Sequence, residues 1–167
     1  MTPLQLIFLF TGAAILISAV MVVVAHNLVH AALWLVVSLF GVAVLFVLLE
    51  AGFLAAVQVV LYIGAIAILI IFAIMLTRRV MQDSGPQTNQ QWWLSALIAV
   101  ALFVALLWTL SQVAYPLANV PVPESYLITL GRSFVDPNQY ALPFEVASVL
   151  LLVALIGSIV IAGEKGK

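Results

Sequence analysis

Few side chains in this sequence of 167 residues can do chemistry, and they stand at the ends of long apolar runs or as isolated interruptions within them. His26 and His30 are four apart, a spacing that brings two imidazoles to one face of a helix, as a metal site requires. Asn27 stands between them as a candidate N-cap that breaks helical continuity, and no carboxylate or third ligand lies nearby in sequence, so no metal site is expected. Glu50 closes one apolar run and Glu145 stands just inside the start of another. A carboxylate in the first turns of a helix is favoured by the partial positive charge of the amide end. Glu145 is thus either an interfacial acid stabilised in this way or a proton-accepting group facing a partner. Glu50 is either solvated at a helix end or a second polar contact.

A more unusual set is Gln58, Tyr62 and Gly64, inside one apolar run from Ala51 to Leu76 where lipid would favour leucine. Counted from Ala51 at 1.5 Å per residue, Gln58 lies roughly 10 Å along a helix and Tyr62 roughly 16 Å, close to the midplane of a hydrocarbon core about 30 Å thick. In an α-helix these two are i and i+4 and share a face, from which both can point to a protein or water-filled interior. Gly64 weakens the helix by about 1 kcal/mol relative to alanine and permits close approach of a neighbour. None of the seven prolines falls in the middle of a long run, so a deformation here would come from glycine or from a π-bulge. Ala51, Gly52, Ala55, Ala56, Gly64, Ala65 and Ala67 equally suit plain close packing, and the residue pattern leaves hinge and packing both open.

The elements that position these residues follow from composition. With 66% hydrophobic and 7% charged residues, and a mean hydropathy of +1.33, the chain is an integral membrane protein. Its length accommodates about five helices of roughly 20 residues and excludes a large extramembrane domain. Cysteine is absent, which removes disulfides, thiolate nucleophiles, cysteine-ligated iron–sulfur clusters and cysteine-type zinc sites. A net charge of −1 makes nucleic acid an unsuitable partner.

The reading is all-α: a single membrane domain over residues 1–167 with five transmembrane helices at about 3–24, 28–49, 52–76, 93–113 and 141–162. Met1 to Gln5 has no positive n-region and no small-x-small cleavage site follows, so the first run is expected to be a retained helix. Trp92 and Trp93 mark a membrane boundary, and a polar loop from Gln82 to Gln91 precedes them. Residues 115–139, with Pro116, Pro121, Pro123 and Pro137, are expected to be an extended surface connection rather than a helix. If Arg78 and Arg79 are cytoplasmic, the N-terminus is outside (periplasmic) and the tail with Lys165 and Lys167 inside, leaving Arg132 alone on the outer side. No charged residue falls near any midplane, whereas ion carriers hold such residues deep in the bilayer. A free-standing channel or transporter is therefore disfavoured, and the chain reads as a component of something larger.

Three stretches carry a resemblance: Asn27 to Leu33 (NLVHAAL), Gln58 to Ile66 (QVVLYIGAI) and Leu142 to Leu152 (LPFEVASVLLL). In this order, and with a long connection before the last helix, the chain resembles the J subunit of bacterial respiratory complex I, the counterpart of mitochondrial NADH dehydrogenase subunit 6. The resemblance implies a cofactor-free subunit of a proton-pumping NADH:quinone oxidoreductase in the inner (plasma) membrane. It implies a place between the quinone-site subunit and the antiporter-like subunits, against the small K-type subunit. NADH or another donor, FMN, iron–sulfur clusters and quinone would be handled by other subunits. It also implies a π-bulge in the third helix near Tyr62 and Gly64, whose conversion to regular helix rotates side chains and gates a water path. Some members carry a glutamate where this chain has Gln58, and glutamine can only orient water or hydrogen-bond a neighbour. Any titrating role then shifts to Glu50, Glu145 or a carboxylate on a neighbouring subunit. A related subunit of a multisubunit cation/proton antiporter or membrane-bound hydrogenase is the alternative.

Overall fold

A computed structural model of the chain describes residues 2–77, 91–113 and 125–163. Among them all regular structure is helical: α1 (Pro3–Val24), α2 (Leu28–Leu48), α3 (Gly52–Leu76), α4 (Trp92–Gln112), α5 (Tyr126–Val135) and α6 (Ala141–Gly163). All but α5 are long and apolar enough to cross a membrane, so the five expected spans are present with bounds shifted by a residue or so. The chain divides into two compact units, Met1–Asn119 and Val120–Lys167. Arg78, Arg79, Lys165 and Lys167, on which the expected orientation rests, lie outside the described residues, as does most of the polar loop before Trp92.

Local chemistry fixes where the first helices begin and end. At the head of α1, Thr2 Oγ1 accepts the Gln5 N–H at 3.4 Å while Gln5 Oε1 accepts the Thr2 N–H at 2.9 Å, a capping box with Pro3 in the first turn. Asn27 caps α2 as its type predicts, its Oδ1 accepting the Val29 N–H at 2.9 Å. That cap separates α1 from α2 so sharply that His26 stays in the turn while His30 joins the helix. At the far end of α2, Ala51 N–H donates to Phe46 C=O at 2.9 Å and Glu50 N–H to Val47 C=O at 3.0 Å. This is a Schellman closure, and the residue it forces into the left-handed region is Glu50, at φ 59°.

In the first unit α2 is the central element, packed against both α1 and α3. Small residues make the α1–α2 contact close. Ser18 is buried and its Oγ donates to the Ala14 and Ile15 carbonyls at 2.8 and 2.9 Å. A Cβ on Gly41 would run into the Ile15 side chain, so glycine is what lets the two backbones approach there. Ala31 and Ala32 are buried in the same way and border an apolar cleft shared with Val22 of α1 and Ile70 and Ile74 of α3.

The connection before the last span differs from expectation. Residues 114–124 lie outside the described part, but Tyr126–Val135 is a ten-residue helix, not an extended segment. The prolines bracket this stretch without entering it, and Asp136, held extended at ψ 118° ahead of Pro137, ends it. Proline count over the whole connection hid a proline-free amphipathic core. In this second unit α5 packs against α6, where the rings of Phe134 and Phe144 stack with centroids 5.5 Å apart.

Candidate functional site

The third helix is not uniform. Gly52–Val57 is α-helical, Gln58–Ala67 is a π-helix, and Ile68–Leu76 is α-helical again. The expected π deformation is therefore present, extended over ten residues instead of the single turn in which such bulges usually occur. It starts at Gln58 and contains both Tyr62 and Gly64.

Its consequence appears in which residues face α2. Ala55, Gln58 and Ala67 are buried, at 7%, 7% and 1% exposure, and Ile63 is half-buried between the last two. The inward position steps from Gln58 to Ile63 and then to Ala67. An i→i+5 ladder advances the face in this way, whereas an α-helix would have brought Tyr62 inward after Gln58. Tyr62 is instead 47% exposed and points away from α2. The expectation that Gln58 and Tyr62 share a face is corrected here: it holds for an α-helix, and the π segment separates them.

Gln58 is tied to α2. Its Nε2 donates to the Leu39 carbonyl at 3.4 Å, a long bond that nonetheless gives a buried amide a partner inside the helix pair. Of the two uses open to a glutamine here, the contact with a neighbour is the one observed. Gly64 has a tight surrounding of its own. A Cβ there would stand 3.3 Å from the Val59 carbonyl oxygen, the group five residues back to which a π ladder directs the Gly64 N–H.

The carboxylates are placed separately. Glu50 is exposed at the corner between α2 and α3, immediately before the helix that becomes π. Glu145 is exposed in α6 of the second unit, its carbonyl accepting from Ser148 Oγ at 2.7 Å. His26 and His30 are both exposed, and among the described residues no three of His, Cys, Asp and Glu gather to hold a metal. Two features were missed at the level of sequence, the Leu39 carbonyl as the Gln58 partner and the left-handed backbone of Glu50. Ala67, one of the small residues suited to close packing, is the most tightly covered residue of α3, nine positions after Gln58 and two π turns on.

Residues 18–161 match the family model of NADH-ubiquinone/plastoquinone oxidoreductase chain 6. The chain belongs to this family. Among its relatives, subunit J of the F(420)H(2) dehydrogenase of Methanosarcina mazei is 38% identical over 153 residues, covering 89% of this chain and 84% of the relative. Chain 6 of the NAD(P)H-quinone oxidoreductase of Synechocystis sp. is 37% identical over 164 residues, covering 95% and 78%. Subunit J of the NADH-quinone oxidoreductase of Rhodobacter capsulatus is 31% identical over 159 residues, covering 92% and 78%. All three relatives are named as subunits or chains of larger oxidoreductases, so the chain is a multi-pass membrane subunit of such a complex. The resemblance read from the three sequence stretches is thus confirmed at the level of the family.

Proposed function

We propose that this chain is a non-catalytic, cofactor-free subunit of a proton-pumping NADH:quinone oxidoreductase in the inner (plasma) membrane, and that α3 is its deformable coupling element. Flavin, iron–sulfur and quinone chemistry belongs on this reading to other subunits; a chain without cysteine cannot ligate a cluster through thiolates. The relatives carry names with different electron donors, F(420)H(2), NAD(P)H and NADH, which fits a subunit that does not select the donor. Its neighbours on this reading are the quinone-site subunit, the small K-type subunit and the antiporter-like subunits.

The observation that carries the proposal is the step of the α3 inner face from Gln58 to Ile63, with Tyr62 turned outward. Conversion of the π segment to α-helix while Gln58 stays clamped to Leu39 would bring Tyr62 inward in place of Ile63, and Ala65 in place of Ala67. One side chain carrying a phenol near mid-membrane thereby moves between two environments. Such an exchange can open or close a hydrogen-bonded path without any charged residue in the helix. Tyr62 is the group that moves, Gly64 the deformable point and Gln58 the fixed anchor, with Glu50 and Glu145 as secondary polar contacts.

Gly64→Val tests this. The new side chain presses on the Val59 carbonyl only while the helix is π, so it shifts the balance toward regular helix, about tenfold for each 1.4 kcal/mol of differential strain. The complex should assemble and still reduce quinone, while protons pumped per quinone fall several-fold. An assembled variant with normal pumping removes the gating role from α3.

A further inference from the structure

We infer that α5 is an interfacial helix whose uncovered apolar flank enters the acyl boundary of the bilayer and whose Arg132 holds the phosphate of an anionic phospholipid. At 3.6 residues per turn, Thr129, Arg132 and Ser133 gather on one arc of Tyr126–Val135 and the apolar residues on the other. The apolar arc is too wide for its one protein neighbour. Phe134, stacked on Phe144 of α6, and Leu130 beside it on the wheel are the less exposed, at 37% and 36%, whereas Ile128 and Val135, further round, are 61% and 76% exposed. Ile128, Gly131, Arg132, Val135 and Asp136 line a shallow open depression on that uncovered side.

The height of α5 identifies the occupant. α6 has 23 residues and so measures roughly 34 Å at 1.5 Å per residue, against a hydrocarbon core of about 30 Å, which puts its first turn at the interface. α5 is fastened to that turn. Phe134 stacks on Phe144, and the Tyr140 N–H donates to the Ser133 carbonyl at 3.1 Å across the intervening turn. A helix held at that level, apolar on a wide arc and basic at its border, has the composition of a segment lying in the headgroup layer. Among the described residues no ion pair engages Arg132. The Asp136 carboxylate, one turn on, already accepts the Asn138 N–H at 3.0 Å and Gln139 Nε2 at 2.9 Å. Arg132 at the edge of the apolar flank can lay its methylenes on that flank and present its guanidinium to phosphate.

The test uses the assembled complex in vesicles of phosphatidylethanolamine and phosphatidylglycerol, with a photoreactive benzoylphenylalanine in place of Ile128, Val135 or Thr129, followed by mass analysis of the irradiated chain. Phospholipid adducts are expected at both Ile128 and Val135 and not at Thr129. Two positions on the flank are used so that one remains informative if the bulky probe prevents assembly at the other. A cross-link from either to a neighbouring subunit, or no adduct at either, overturns the proposal in favour of a protein-covered or water-facing flank. At Ile128 the ratio of phosphatidylglycerol to phosphatidylethanolamine adducts should fall about fivefold in Arg132→Gln, the loss of one basic residue near an anionic surface, and hold in Arg132→Lys. A ratio unchanged in Arg132→Gln removes the phosphate contact.

Discussion

The helices α3 and α4 belong to the same unit, are 25 and 21 residues long, and are both apolar enough to cross a membrane, yet one is built to be read by a neighbour and the other is not. In α3 the buried residues, Ala55, Gln58 and Ala67, are all small or polar. In α4 no residue is buried, and its large side chains, from Trp92 to Leu110, all stand exposed. Apolar character places a helix in the bilayer, but it gives no reason for helices to meet, because lipid solvates leucine as well as another helix does. Meeting depends on small residues that bring backbones together and on polar ones that need partners. The difference between α3 and α4 is therefore the difference between a span whose partner is α2 and a span that the described residues of its own unit leave uncovered.

The strongest way to break that contrast is to fill the close approach of α1 and α2 at Gly41. Gly41→Leu drives a side chain into Ile15, and overpacking of this kind costs about 1–3 kcal/mol or more. A tenfold or greater loss of assembled chain is expected on a native gel. Gly12→Leu, where an added Cβ meets nothing within 4 Å, should be close to neutral in the same assay. Equal losses for the two would show that α1 and α2 are not held by this contact. Next in size is Ala67→Leu, which puts a large side chain at the position of α3 that is 1% exposed. It should destabilise the unit by about 1–2 kcal/mol, seen as a lower midpoint of thermal inactivation. Ala101→Leu in α4 meets no covered surface and should leave the midpoint unmoved.

Much of this was legible in the residues because the signals involved are local. Five apolar runs, the Asn27 cap and a glycine-bearing polar interruption in the third run are each written within a few positions. The π segment was expected from resemblance together with Gly64, but its length and its effect on facing were not, since an i→i+4 wheel presupposes the ladder that Gln58–Ala67 abandons. The backbone of Glu50 went unread for a related reason, although its exposed place at the helix end agrees with one of the two readings. Its left-handed backbone is imposed by the two hydrogen bonds that close α2, and a glutamate gives no hint of a position that glycine ordinarily fills. The α5 helix was hidden by proline content averaged over the connection. The partner of Gln58 is a backbone carbonyl, which every residue carries and no sequence marks.

That partner sharpens the comparison at a smaller scale. Gln58→Met keeps the bulk and removes the donor to Leu39, a contact worth about 0.6–1 kcal/mol between membrane helices. Assembly should survive with a slightly lower thermal midpoint. Pumping should fall by more than that midpoint implies, because the π segment loses the anchor that fixes which end rotates. Met at this position with pumping reduced only in proportion to the amount of assembled complex would leave Gln58 as a packing residue.

The smallest effect runs the other way. Glu50→Gly keeps both bonds of the Schellman closure and relieves a left-handed glutamate, a strain of order 1 kcal/mol, while the added freedom of glycine in the unfolded chain returns part of that gain. The net expectation is a thermal midpoint equal to or a degree or two above the parent, so on stability alone glycine is the better residue at this corner. An exposed carboxylate where the backbone disfavours it, two residues before the helix that becomes π, fits a side chain that serves a contact outside this chain. The variant should then be as stable as the parent and pump more slowly. A Glu50→Gly complex that is both more stable and fully active would make Glu50 a helix-end residue and nothing more, and would leave the coupling role to the ten residues that follow Val57.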